Sequence, residues 1–341
     1  MKRKYMIIVL MAGALELTGC SQGTSNSAKN GTTGSENTII SESDIAILDT
    51  EDMFTERDRD TEYDESECTA ISLSDEETKC DSDGVKMDGQ TVTITEGGTY
   101  LLTGSLSNGS VVVDTDKTEK VQLILENVSI INEEGAGICV EQADKVFITL
   151  ADGSTNKIVS NSFTGNEDTN IDGAIFSRED LTLNGSGTLK ITSAAHGIVS
   201  KDDLVLTGGV YQIQSEKQGL SGKESVRIAD GTFTITSGTD AIHSEDTDED
   251  TKGFVYTGGV LTLAAGGDGI SSSYVVQADG GNFDISTSST ETDTSTKGIK
   301  AQKYVILKDG TYQLATADDG IHCNGNVYVC GGTYSITSGD D

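Results

Sequence analysis

The chain has no proline, no tryptophan and only three histidines among its 341 residues. Cationic side chains are scarce as well: 23 Lys and Arg stand against 56 Asp and Glu, a formal net charge of −33. That charge excludes nucleic acid and anionic lipid headgroups as direct partners unless cations intervene. It suits solubility, capture of divalent cations, or partners reached through them. No segment sustains a 3.6-residue apolar period, so very little helix is expected. Also missing are a His–Cys cluster of zinc-binding spacing, a Ser-His-Asp arrangement and a phosphate-cradling loop. What is present is 40 glycines and abundant Thr, Val, Ile and Ser, the composition of strands and turns.

The N-terminus reads as a targeting segment. Lys2, Arg3 and Lys4 form a basic start, and Tyr5 to Leu15 form an apolar stretch too short to span a bilayer. Leu17-Thr18-Gly19-Cys20 follows and looks like a bacterial lipobox. Residues 1–20 are therefore expected to be a lipoprotein signal peptide, with Cys20 lipidated and anchoring an exported protein to the outer face of the cell membrane. Residues 21–83 hold 18 Asp or Glu against four Lys or Arg, and read as an acidic disordered linker. Cys68 and Cys80 lie in this region, where they could pair.

From residue 84 the chain is a single repeating body. Gly197-Ile198, Gly219-Leu220, Ala241-Ile242, Gly269-Ile270, Gly298-Ile299 and Gly320-Ile321 open successive units, whose residue numbers advance by 22, 22, 28, 29 and 22. Each unit then passes through a Gly-x-aromatic step, such as Gly231-Thr232-Phe233 or Gly310-Thr311-Tyr312, with Leu261 in the aromatic slot once. Within a unit, three short alternating runs fit three strands, and period-two alternation turns one face of each inward. The expectation is an all-β, right-handed, single-stranded parallel β-helix of about 22 residues per coil over residues 84–341. The aromatic column alternates with Ile or Leu and belongs to the core. Tyr274, Tyr304 and Tyr328 break that phase and are candidates for exposed contacts. The next unit would open at residue 342, so Asp340-Asp341 is a lead-in without its Gly-Ile, and the repeat is expected to be cut short here.

Chemistry concentrates in the column just before each Gly-Ile pair: His196, Gln218, Asp240, Asp268, Lys297, Asp319 and Asp341, flanked by Asp318 and Asp340. Adjacent coils would hold such carboxylates about 5 Å apart, where two bare charges repel by about 3 kcal/mol at an effective dielectric of 20. Either calcium bridges them or they are solvated turn residues. Candidate calcium ligands are Asp240, Asp268, Asp318, Asp319, Asn324, Asp340 and Asp341, with turn carbonyls, Glu245 or Asp246 completing the shell. A second outward column contains His243, Lys300 and His322, with Lys201 and Lys223 nearby. Together with Tyr328 these are the candidate carbohydrate contacts.

Several segments resemble a known family. Gly97-Gly98-Thr99-Tyr100-Leu101-Leu102-Thr103-Gly104, Ala174-Ile175-Phe176-Ser177-Arg178-Glu179-Asp180-Leu181, Gly197-Ile198-Val199-Ser200-Lys201-Asp202-Asp203-Leu204 and Asp318-Asp319-Gly320-Ile321-His322 are similar to blocks of the carbohydrate-binding domain family of clostridial surface proteins. The resemblance implies a calcium-bearing parallel β-helix like that of polysaccharide lyases, binding cellulose-like glycans and polygalacturonate. Through the Asp-Asp-Gly-Ile motif it carries calcium ligation to Asp318, Asp319, Asp340 and Asp341, and less directly to Asp268 and Asp240. Lys217-Gln218-Gly219 departs from the motif.

The resulting expectation is a surface lipoprotein that binds polysaccharide on a calcium-stabilised scaffold without cleaving it. A calcium-dependent pectate lyase using Lys223 or Lys300 as base is the enzymatic alternative. A structural adhesin that binds protein partners through the edges of its ladders is the third.

Overall fold

The computed structural model describes residues 7–9, 48, 50, 53–163, 170–248, 253–289 and 294–340. These form three long ladders of parallel strands. Sheet 1 has eleven strands, from the hairpin Val85–Asp88 and Thr91–Ile94 to Ile321–Cys323. Sheet 2 runs from Thr69–Leu73 to Asn326–Val329, and sheet 3 from Ser129–Asn132 to Thr333–Thr337. The long strand Gly98–Leu106 belongs to both sheets 2 and 3. After it the chain visits sheets 1, 2 and 3 in turn, so from Ser129–Asn132 onward each strand pairs with the third strand before it. The Gly-Ile column is in register throughout: Ile198, Leu220, Ile242, Ile270, Ile299 and Ile321 are successive partners.

Alternation sets the core. Tyr211, Phe233, Phe283, Tyr312 and Tyr334 all lie inside on sheet 3. Their rings stack face to face at 4.7 Å for Tyr211–Phe233, 4.6 Å for Phe283–Tyr312 and 4.7 Å for Tyr312–Tyr334. Those distances match the ordinary spacing between strands, so stacking follows from register alone. Gly104 makes the bend by which one strand serves two sheets. Its φ is +88°, and a Cβ there would meet the Leu73 carbonyl oxygen at 2.3 Å. The two long units owe their extra residues to connections: 245–253 between sheets 1 and 2, and 288–298 between sheets 3 and 1.

The expected linker is shorter than its composition implied, because residues 53–83 are folded. The helix α1 (Glu56–Arg59) opens with a capping box between Thr55 and Asp58. Asp58 is buried, with its carboxylate 2.9 Å from Lys145 Nζ and 2.7 Å from Thr182 Oγ1. Arg57 stacks over Phe147, Phe54 meets Tyr256 edge-on at 5.7 Å, and Arg227 donates to the Met53 carbonyl. Specific cations and two apolar anchors thus supply what overall composition lacked. This segment crosses the outward face of sheet 2 and leads into Thr69–Leu73, that sheet's first strand. Cys68 and Cys80 are free thiols.

Candidate functional site: an acidic edge beside a cationic column

The residues preceding the Gly-Ile pairs form a ladder of side-chain-to-backbone bonds. Gln218 N–H donates to His196 Nδ1 (3.2 Å), Asp268 N–H to Asp240 Oδ1 (2.8 Å), and Lys297 N–H to Asp268 Oδ1 (2.8 Å). Each side chain thereby closes the turn of the following unit. The second oxygen of each Asp faces a cation from the outward column of sheet 1. His243 Nδ1 lies 2.8 Å from Asp240 Oδ2, and Lys300 Nζ lies 2.8 Å from Asp268 Oδ2. Asp319 Oδ2 has both Lys297 Nζ (2.9 Å) and His322 Nδ1 (2.8 Å), while Lys297 also bonds Asp318. The carboxylates are therefore not the bare, mutually repelling column that spacing alone described. Two adjoining columns neutralise one another.

His196 and His243, two of the three histidines of this face, are held in opposite states. Burial opposes a charge on His243, but its bonds to Asp240 and Glu245 outweigh that and raise its pKa to about 9. Burial is also the largest influence on His196, and with the nearby Lys217, Lys201 and His243 it overrides Asp172 and lowers the pKa to about 4. Because Gln218 N–H points at its Nδ1, the neutral His196 ring carries its proton on Nε2, which faces Asp172 at 3.5 Å.

Among the described residues, two carboxylate trios bring one oxygen from each member within 4.8 Å of the others: Asp318, Asp319, Asp340 and Asp180, Asp202, Asp203. The first combines three of the expected calcium ligands. Its hard oxygen donors fit calcium, although the Lys297 ammonium already lies on two of them. Asn324 stands apart from this trio, since its Oδ1 faces the far ring nitrogen of His322 and its amide donates to Gln302. Asp240 and Asp268 are occupied in the turn ladder instead. Asp341 and the lipidation candidate Cys20 lie outside the described residues.

The second trio escaped the sequence reading. Burial, then the neighbouring Asp203, raises the Asp180 pKa to about 6. Burial with Asp202 and Asp203 does the same for Glu224. The available signal was a periodic one: Glu179-Asp180, Asp202-Asp203 and Glu224 recur at the same turn of consecutive units.

The carbohydrate candidates divide between places. Lys201 and Lys223 border an open cleft of about 310 Å³, shared with Ser200, Ser221, Glu245 and Asp246. Lys201 Nζ is 3.6 Å from Asp172, and Lys223 is exposed. His243, Lys300 and His322 are engaged with Asp240, Asp268 and Asp319. Tyr328 lies on sheet 2, 6.1 Å from Tyr304, on a different face.

Comparison with known proteins agrees with this architecture. Residues 88–341 match the family described as carbohydrate-binding domain-containing protein. A protein of that description from Acetivibrio thermocellus is 33% identical over 222 residues, covering 64% of this chain and 77% of the relative. The solved structure of a polysaccharide lyase-like protein from C. thermocellum, a gadolinium derivative, superposes with a TM-score of 0.63 at 29% identity, over 78% of this chain and 100% of that one. The chain belongs to the carbohydrate-binding domain-containing family.

Proposed function

We propose that this chain is an exported protein, anchored through lipidated Cys20 to the outer face of a bacterial membrane, that binds plant cell-wall polysaccharide without cleaving it. In this reading the three ladders wind as a right-handed, single-stranded parallel β-helix, and the glycans are cellulose-like and acidic, of the polygalacturonate type. The observation that carries the acidic-glycan part is the cleft bordered by Lys201 and Lys223. It brings two ammonium groups to the surface of a chain with net charge −33, beside Glu245, Asp246 and Asp248, where a uronate carboxylate would pair with them. Asp318, Asp319 and Asp340 would hold calcium. Bound there, it would offset two of the trio's three negative charges and would attract a uronate carboxylate.

The engagement of Lys300 supports binding without cleavage. A lyase needs a base to take the proton beside the uronate carboxylate. Lys300 Nζ donates to Asp268 and Ser295, and an ammonium so engaged has no lone pair to offer. Lys223 is the residue a lyase would have to use. Retention on polygalacturonate, measured with calcium and with chelator, tests the reading alongside ultraviolet absorbance for unsaturated uronides. Retention weakened by Lys201→Ala and Lys223→Ala without absorbance growth is expected. Steady absorbance growth abolished by Lys223→Ala would replace binding with lyase activity.

A further inference from the structure

The three outward faces of the molecule differ in what remains available on them. That of sheet 2 is crossed by the segment carrying α1, from Arg57 on Gln122 to Leu48 N–H on Gln277. On sheet 1, Cys139, Phe176 and Val199 are covered, with Ile171 packed against them, and the later column is tied up in ion pairs. Sheet 3 is open. Its outward side chains are exposed on strand after strand, and the three consecutive strands Val210–Ser215, Thr232–Ser237 and Val260–Ala265 contain no charged residue.

Register arranges that face into two lines across the strands. One runs Lys190, Gln212, Thr234, and the other Thr192, Gln214, Thr236. Between them lies a shallow groove of about 340 Å³ bordered by all six. Successive side chains along each line are about 4.8 Å apart, and the lines are separated by two residues, about 6.7 Å. None of the six side chains makes a hydrogen bond among the described residues, in contrast to the internally satisfied polar groups of sheet 1. Amides and hydroxyls donate and accept without carrying charge, as sugar hydroxyls do. The threonine methyls add apolar surface for the C–H faces of a sugar ring.

We infer that this groove on sheet 3 is a second glycan site, which takes an extended, uncharged polysaccharide strand lying along the stack and across the strands. The inference rests on the carbohydrate-binding reading and deepens it: acidic glycan goes to the lysine cleft, neutral glycan to the amide and hydroxyl face. A neutral strand needs no ionic contact there, whereas a polyuronate finds the single ammonium of Lys190 at one end of the groove and meets the repulsion of the whole chain. Its binding should also be insensitive to calcium and only weakly sensitive to salt.

The test compares the full chain with two double variants, on microcrystalline cellulose and on polygalacturonate. Gln212→Glu/Thr234→Glu puts charge into the groove. Gln212→Ala/Thr234→Val removes polar groups without adding charge. Expected are a loss of at least tenfold in cellulose affinity for the first and severalfold for the second, with melting temperature and polygalacturonate retention unchanged and no effect of chelator on cellulose. Cellulose binding equal to that of the unaltered chain overturns the inference. So does parallel loss on both glycans, or an unaltered chain that holds polygalacturonate but not cellulose. An unaltered chain that holds neither glycan would sink the proposed function along with it.

Discussion

The Lys145 ammonium sits 2.9 Å from the Asp58 carboxylate, joining a strand of sheet 2 to the four-residue helix laid across it. The aspartate is 3% exposed and the lysine 15%, so neither charge has water to fall back on if the other is removed. Burial disfavours the Asp58 charge, but Lys145, Thr182 and Thr55 more than compensate and hold its pKa below 3.8. Asp58→Ala should therefore destabilise the chain by about 3 kcal/mol, the cost of stranding a buried partner. Urea denaturation measures this, and limited proteolysis between residues 48 and 60 should speed up in parallel. A depressed carboxylate stabilises above its unfolded pKa and loses that contribution as pH falls through the folded value. The variant and the parent should accordingly begin to converge as pH falls below 3.8 and meet once it has passed the lower, folded value. A difference that persists there would assign the effect to packing alone.

Asp180 and Glu224 have the opposite sign. Their pKa values, raised to about 6, mean that the folded chain holds protons more tightly than the unfolded one. Stability should then fall as pH rises through 6 and be regained on mild acidification toward 5. Asp180→Asn should raise the melting temperature at pH 7 and flatten this dependence. If the melting temperature of the variant at pH 7 is unchanged, the cluster is better solvated than its geometry indicates.

The all-β character and the long parallel sheets were legible because a repeating chain restates its evidence. Each inward aromatic, from Tyr211 to Tyr334, restates the same period-two rule, and the in-register Ile column leaves one way to align the units. Asp58 was not legible, since local composition gives acidic residues no credit for a lysine 87 positions away (145 minus 58). The Asp column was half legible. Its spacing was visible, yet its neutralisation by His243, Lys300 and Lys297 depends on side chains reaching sideways between columns, which a list of columns does not reveal. The turn carboxylates at Asp180, Asp202 and Asp203 were in plain view as a periodic doublet but lacked a Gly-Ile marker to draw the eye.

Three histidines make the charged face accessible to proton NMR with little ambiguity. The His196 ring should titrate near pH 4 and the His243 ring near pH 9, on either side of the ordinary 6.5. In linkage terms, His243 contributes stability that is complete below 6.5 and lost as pH climbs through about 9. His196 contributes stability that is complete above 6.5 and lost as pH drops toward 4. His243→Gln should thus cost most below pH 6.5, progressively less as pH rises toward 9, and least above it. Two rings titrating together near 6.5 would mean that the Asp240 and Asp172 contacts do not persist in solution.

Lys297 decides how the Asp318, Asp319 and Asp340 trio behaves toward calcium. Its ammonium lies 2.5 Å from Asp318 and 2.9 Å from Asp319, and these bonds raise its pKa against the effect of burial. Any cation entering the trio must displace that ammonium or share its oxygens, so lysine and calcium compete for the same charge. Lys297→Met keeps most of the aliphatic stem and removes the competitor. It should lower the melting temperature in chelator, where the trio is left unneutralised, and increase the stabilisation that calcium provides. An affinity gain of about tenfold corresponds to about 1.4 kcal/mol of binding energy no longer opposed by the ammonium. Saturating calcium should then restore more of the lost stability than it adds to the parent chain. Isothermal titration with calcium, with Asp319→Asn as the control that removes a ligand, measures the change directly. Calcium affinity that is unaffected by both substitutions would place any calcium site elsewhere and leave this trio to its lysine.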